Sequence, residues 1–215
     1  MATVDRTKYM SADEVKQLRT VTEARAIVDI KAGRVNGVLG WMVVDIALST
    51  GLRVSEIGKL HVEDNDLKRG SLAVHRSKKR KPVRETLAIG KELADHLKDY
   101  RTWRACRIAD MDGAFRKGLT DTKGALFIGC RGPLTAQGLQ RVWKAAIKRA
   151  GLPAELSIHS ARHTLAVHLL KKTGNLRQVQ KQLGHSSPTI TAAMYADVTF
   201  EDMQDGLSGL YGPRP

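Results

Sequence analysis

The sequence predicts a mainly α-helical fold with a small antiparallel β-sheet, and three observations carry that prediction. Apolar residues recur at helical spacing through most of the 215-residue chain. The helical stretches are bracketed by residues that start helices, such as Ser11 and Ser187, and by glycines that end them, such as Gly51, Gly174 and Gly184. Only two short segments, SLAVH at 71–75 and VRETLAI at 83–89, have β-branched, alternating character.

Taken in order, residues 9–25 open with Ser11 ahead of Ala12, Asp13 and Glu14, a helix start whose acids complement the positive helix end. Residues 37–49, GVLGWMVVDIALS, are apolar on nearly every side, the mark of a buried central helix, and Gly51 stands where it can end in a left-handed residue. GLRVSEIGKL then reads as a tight turn and a short helix started by Ser55. The segments 71–75 and 83–89 form a β-hairpin or two short strands around a basic loop, and residues 91–106 return to helical spacing. Residues 110–124 are a polar, glycine-containing loop. Across 135–150, Leu139, Val142, Trp143, Ala146 and Ile147 share one helix face, with Arg141, Lys144 and Lys148 off it. A helical pattern runs from Ser160 through Leu170, stops at Gly174, resumes to Leu183 and stops at Gly184. It restarts with Ser187 as N-cap and Pro188 in the first helical position, so His185 and Tyr195 lie on either side of a helix start.

Hydrophobic residues make up 42% of the chain, enough to bury a core. The formal net charge of +14, from 36 Lys and Arg against 22 Asp and Glu, favours a polyanionic partner, and nucleic acid leads. No run of eighteen apolar residues, no signal-peptide pattern and no basic amphipathic helix with bulky aromatics is present, so no membrane partner is expected. Cys106 and Cys130 lie far apart without a CxxC partner, which suggests neither a disulfide framework nor a cysteine zinc site and fits a reducing cytoplasm.

Several residues form a set suited to phosphoryl transfer. His159 and Arg162 in IHSARH are three apart, on one side of a helical first turn where both can reach a single anion. Arg53 follows a Gly-Leu turn, and Arg76, Lys78, Lys79, Arg80, Lys81 and Arg84 crowd one loop without an acid among them. In-line attack on a phosphodiester builds negative charge on the non-bridging oxygens, which fixed guanidinium forks of Arg53 and Arg162 stabilise. Tyrosine has a pKa of about 10, so a nucleophilic Tyr195 needs a base, such as His159, or strongly positive surroundings. The leaving 5′ oxygen needs a proton, which a loop lysine can bring. No metal and no cofactor is called for: His159, His163 and His185 lack an acidic or cysteine co-ligand at a usual zinc spacing.

The segments ALSTGLRVSEIGKLHVEDND, HRSKKRKPVR, IHSARHTLAVHLLKKTG and VQKQLGHSSPTITAAMYADV, in that order, resemble the signature boxes of the tyrosine recombinases, the group of phage integrases and Xer-type resolving enzymes. The resemblance covers roughly residues 9–198. It implies the catalytic-domain fold of DNA breaking-rejoining enzymes, with Arg53 as first catalytic arginine and Glu56 as an acid supporting the site. Lys78 matches the mobile hairpin lysine that acts as general acid, with Lys79 as the alternative. His159 and Arg162 match the H-x-x-R box, His185 the histidine after Leu-Gly, and Tyr195 the nucleophile. Arg76, Lys79, Arg80, Lys81 and Arg84 of the basic loop, with Arg141 and Lys144 on the basic helix face, are the expected DNA contacts.

The implied activity is site-specific recombination of double-stranded DNA through a 3′-phosphotyrosyl intermediate, without ATP or metal, by four protomers on DNA built from a chain that can be monomeric when free. Topoisomerase IB-like relaxation and a catalytically silent DNA-binding accessory protein or repressor of the same fold are the alternatives. The expected organisation is a catalytic domain over residues 1–198, no N-terminal core-binding domain, and a tail at 199–215 that is either mobile or packed on a neighbouring protomer. The expected location is the cytoplasm, on DNA.

Overall fold

Ser11 starts the first helix as the sequence predicts. Its hydroxyl accepts the Glu14 backbone N–H at 3.2 Å, while the Glu14 carboxylate accepts the Ser11 N–H at 2.7 Å, a reciprocal cap. The computed structural model describes residues 9–77, 82–109, 124–129 and 132–184. In it, helix α1 spans Ala12–Lys31 and so runs past the expected end at Arg25. The reason is a reversal of polarity near its C-terminus: Ile27, Val28 and Ile30 face solvent while Asp29 faces inward.

Asp29 is fully buried and accepts from Arg34 Nε and from the Gly37 backbone N–H, both at 2.8 Å, with Arg25 at 2.9 Å. Burial by itself raises its carboxyl pKa, but the bonds from Arg34 and Gly37 and the charges of Arg25 and Arg34 outweigh it and hold the group below the usual carboxylate range. Asp29 thus joins the end of α1 to the start of α2 (Asn36–Thr50).

Helix α2 is the centre of the molecule. Val38, Leu39, Met42, Val43, Val44, Ile46, Ala47 and Leu48 are all buried, so the all-round apolar character of its sequence is spent against neighbours on every side. Those neighbours are α1, α4 (Lys91–Ala109), α5 (Ala136–Arg149) and α6 (Ile158–Thr173). The α5 face is the expected one, with Leu139, Trp143, Ala146 and Ile147 buried and the Trp143 indole N–H donating to the Leu156 carbonyl at 3.0 Å.

A short helix, α3 (Val54–Ile57), follows Gly51, but Ser55 does not start it. Arg53 is the first flanking residue, and its backbone N–H is accepted by Glu56 at 2.8 Å, which leaves Ser55 inside the turn. The expected hairpin is present as β2 (Ser71–Ser77) and β3 (Pro82–Ala88), antiparallel with Leu72 opposite Leu87 and Val74 opposite Glu85. A two-residue strand, β1 (Asn65–Asp66), adds to its edge, and β4 (Ile128–Gly129) pairs with β5 (Gly132–Pro133) as a second small sheet. None of these three short strands is predicted, because two residues carry no readable alternation.

Helix α6 begins at Ile158, two residues before the predicted start at Ser160, and ends at Gly174; α7 (Leu176–Leu183) ends at Gly184, as predicted. The helix expected from Ser187, the tail at 199–215 and, apart from Gly124, the loop expected at 110–124 lie outside the described residues.

Candidate active site

The site is assembled on a backbone corner. Gly51 closes α2 with φ of +64°, a left-handed conformation that favours glycine, and a side chain there would also strike Leu183. That corner turns the chain so that Arg53 emerges at the start of α3. Its side chain is 43% exposed and pairs with Glu56 at 3.0 Å, while Glu56 itself is 4% exposed. Glu56 therefore holds Arg53 by both the backbone and the guanidinium.

Arg162 reaches the same corner from α6. One terminal nitrogen donates to the Gly51 carbonyl at 2.7 Å and the other to the Leu183 carbonyl at 2.7 Å, with the residue only 7% exposed. Two of its five N–H donors are thereby spent on fixing its direction. Burial pushes its pKa down to about 10, helped by the neighbouring charges of Arg53 and Arg76 and opposed by Glu56. It stays cationic at neutral pH, in surroundings that an anion would relieve.

His159 lies one turn earlier on α6 and is exposed. The two members of the H-x-x-R pattern are thus separated by depth, the arginine inside and the histidine at the surface above it. Lys78, Lys79, Arg80, Lys81, His185 and Tyr195 lie outside the described residues; β2 ends at Ser77, next to Lys78, and α7 ends at Gly184, next to His185.

Arg76 departs from its expected role as a DNA contact. Its side chain is 2% exposed, donates to the Leu183 carbonyl at 2.5 Å and the Gln182 carbonyl at 2.8 Å, and pairs with Glu85 at 2.8 Å. A guanidinium so enclosed cannot lie along a phosphate backbone. Period-two alternation carried the signal: Leu72, Val74 and Arg76 share one strand face, and the first two are core residues. Arg84, on the opposite face, is 61% exposed and lies 3.3 Å from Asp64. On α5, Arg141 and Lys144 are exposed, with Lys144 donating to the Ala154 carbonyl.

Among the described residues, no group of three or more His, Cys, Asp and Glu side chains is gathered as for a metal ion, and no helix is long and apolar enough to cross a membrane.

Known proteins share this arrangement of elements. The profile of the Phage integrase family matches residues 8–202. Tyrosine recombinase XerC of Halalkalibacterium halodurans is 34% identical over 158 residues, which cover 73% of this chain and 49% of the relative. This chain spans about half the length of the curated relatives it matches. The crystal structure of XerA recombinase superposes with a TM-score of 0.70 at 24% identity, over 96% of this chain and 66% of that one. The Tn1549 transposon integrase, in complex with transposon right end DNA, gives 0.69 at 19% identity, over 97% and 67%. With the family profile matched across almost all of its length and the fold shared to the same extent, this chain belongs to the phage integrase family.

Proposed function

We propose that residues 1–198 form the catalytic domain of a site-specific DNA recombinase that cuts and rejoins double-stranded DNA through a 3′-phosphotyrosyl link. The observation that carries this reading is the convergence of two arginines on one corner: Arg162 donates to the Gly51 carbonyl at 2.7 Å, two residues from Arg53. Two guanidiniums held by their own protein at one place are pre-organised to receive the charge that grows on a phosphodiester under attack. DNA-bound relatives of the same fold, among them the Tn1549 integrase complex, support DNA as the partner.

In the proposed reaction the Tyr195 phenol oxygen attacks phosphorus, its proton passing to His159, and the bond from phosphorus to the 5′ oxygen breaks. Lys78, or Lys79 in its place, gives that oxygen its proton, so the products are a 3′-phosphotyrosyl protein and a 5′-hydroxyl. Arg53, Arg162 and His185 contact the non-bridging oxygens, and Glu56 fixes Arg53. The phosphodiester energy stays in the tyrosyl link, so a 5′-hydroxyl from a second duplex reverses the step without ATP. Exchange of strands between two duplexes calls for four protomers acting in pairs. The exposed cations Arg84, Arg141 and Lys144, with Lys79, Arg80 and Lys81, hold the duplex by its phosphates.

A suicide duplex, nicked beside the cleavage point and drawn from a pooled sequence library, tests the reading. Incubation in EDTA is expected to give a covalent protein–DNA adduct on a denaturing gel, and Tyr195→Phe is expected to bind the same DNA and give none. Adduct persisting in Tyr195→Phe would remove the nucleophile from the proposal, and DNA binding without any adduct would favour the silent DNA-binding protein.

A further inference from the structure

Arg76 is the most enclosed charge next to the arginine corner, and the proposed reaction does not use it. It sits on β2 two residues before Lys78, with its guanidinium pressed into the C-terminal end of α7. A Cβ placed on Gly184 would lie 2.5 Å from its Nε, so the glycine that precedes His185 packs directly on the guanidinium plane. Its acceptors are the Leu183 and Gln182 carbonyls, its ion partners are Glu85 at 2.8 Å on β3 and Glu56 at 3.8 Å on α3. The Leu183 carbonyl also accepts from Arg162, so two guanidiniums share one oxygen at the negative end of a helix.

We propose that Arg76 is a positioning residue for the proton donor of the cleavage reaction, one that anchors the strand leading to Lys78 on the fixed C-terminal end of α7. The inference rests on the recombinase reading above. The physical basis is the fork: the two terminal nitrogens of a planar guanidinium bond two successive carbonyls while its charge pairs with a carboxylate, whereas an ammonium offers a point charge that cannot span them. Burying a cation at 2% exposure is costly unless its partners are in place, so the hairpin and α7 are held in one relative position whenever Arg76 is satisfied. Glu56 joins that lock to Arg53 on one side, and the shared Leu183 carbonyl joins it to Arg162 on the other. One buried side chain therefore touches the backbone or partner of each arginine and the chain entering both remaining groups.

Displacing a catalytic group by about 1 Å costs on the order of 100-fold in rate. The test uses the full chain and the suicide duplex, in two versions that differ only in the scissile leaving atom: 5′ oxygen, which needs a proton, and 5′ bridging sulfur, which leaves as a thiolate without one. Single-turnover cleavage and DNA affinity are measured for the unsubstituted chain, Arg76→Ala and Arg76→Lys, with thermal melts to establish folding. For Arg76→Lys, cleavage of the oxygen duplex is expected to fall by roughly 10- to 100-fold, with DNA affinity changed less than about threefold, the size of a factor below 1 kcal/mol. The sulfur duplex is expected to recover most of that loss, because the misplaced group is the proton donor.

Arg76→Ala is expected to show the larger loss if it folds; if it does not, Arg76→Lys decides alone. Equal losses on both duplexes would reduce Arg76 to a fold residue, and weakened DNA affinity with unchanged cleavage would restore it as a phosphate contact; either result overturns the proposal. No adduct from the unsubstituted chain would overturn the recombinase reading itself, and this inference with it.

Discussion

Arg162 shows how one residue can be a structural tie and also hold a cation beside a second arginine. Its two bonds to the Gly51 and Leu183 carbonyls fix its plane, and burial, Arg53 and Arg76 together depress its pKa to about 10. Arg162→Ala removes the charge and strands the Gly51 carbonyl, while the Leu183 carbonyl keeps its bond from Arg76, so cleavage is expected to fall by about 10²- to 10³-fold and stability by about 1–3 kcal/mol, read by single-turnover adduct formation and urea melts. An anion seated beside Arg53 and Arg162 relieves the charge repulsion there, so inorganic phosphate is expected to raise the melting temperature of the chain, and Arg53→Ala to abolish the rise; saturation at 100 times Kd corresponds to about 2.7 kcal/mol. Each arginine was legible from its motif. Arg76 reads as one more cation of a basic loop because charge count hides a residue that the alternation through Leu72 and Val74 turns inward.

At the scale of elements, two junctions help to hold α1. Gly37 brings α2 against α1 so closely that a Cβ would stand 2.7 Å from the Asp29 carboxylate and 2.8 Å from the Arg25 carbonyl. Gly37→Ala is therefore expected to destabilise the fold by about 1–3 kcal/mol through overpacking, measured by urea denaturation. The other junction joins the entry of α1 to α6: the Met10 N–H donates to Thr164 at 2.9 Å, and His168 bonds the Met10 backbone. Burial lowers the His168 pKa, the bond to Met10 opposes that shift, and Lys171 adds to it. The folded chain then binds fewer protons than the unfolded one just below pH of about 6.5, so stability falls as pH drops from there toward the depressed value and levels below it. The urea midpoint is expected to decline across that window, and less steeply in His168→Gln. Helix starts at Ser11 and ends at Gly51, Gly174 and Gly184 were readable because caps act within a few residues. The end of α1 was not, since Asp29 is stabilised by Arg34 and Gly37 beyond the helix.

For the molecule as a whole, the +14 charge makes the proposed DNA binding a matter of released counterions. The logarithm of affinity is expected to fall linearly with the logarithm of salt concentration, and Arg141→Ala to reduce the slope by about 0.9, the share of one phosphate contact, measured by fluorescence anisotropy at several salt concentrations; an unchanged slope would take Arg141 off the duplex. The sequence alone determined the helical class, the central helix α2, the hairpin and the order of the motif boxes, because periodicity, caps and local motifs depend on neighbours in the chain. Tertiary structure decided which charges face solvent and which face the protein. Arg162 meets Gly51 across 111 positions of sequence and Arg76 meets Leu183 across 107, and no local pattern reports a bond whose two ends the fold alone brings together.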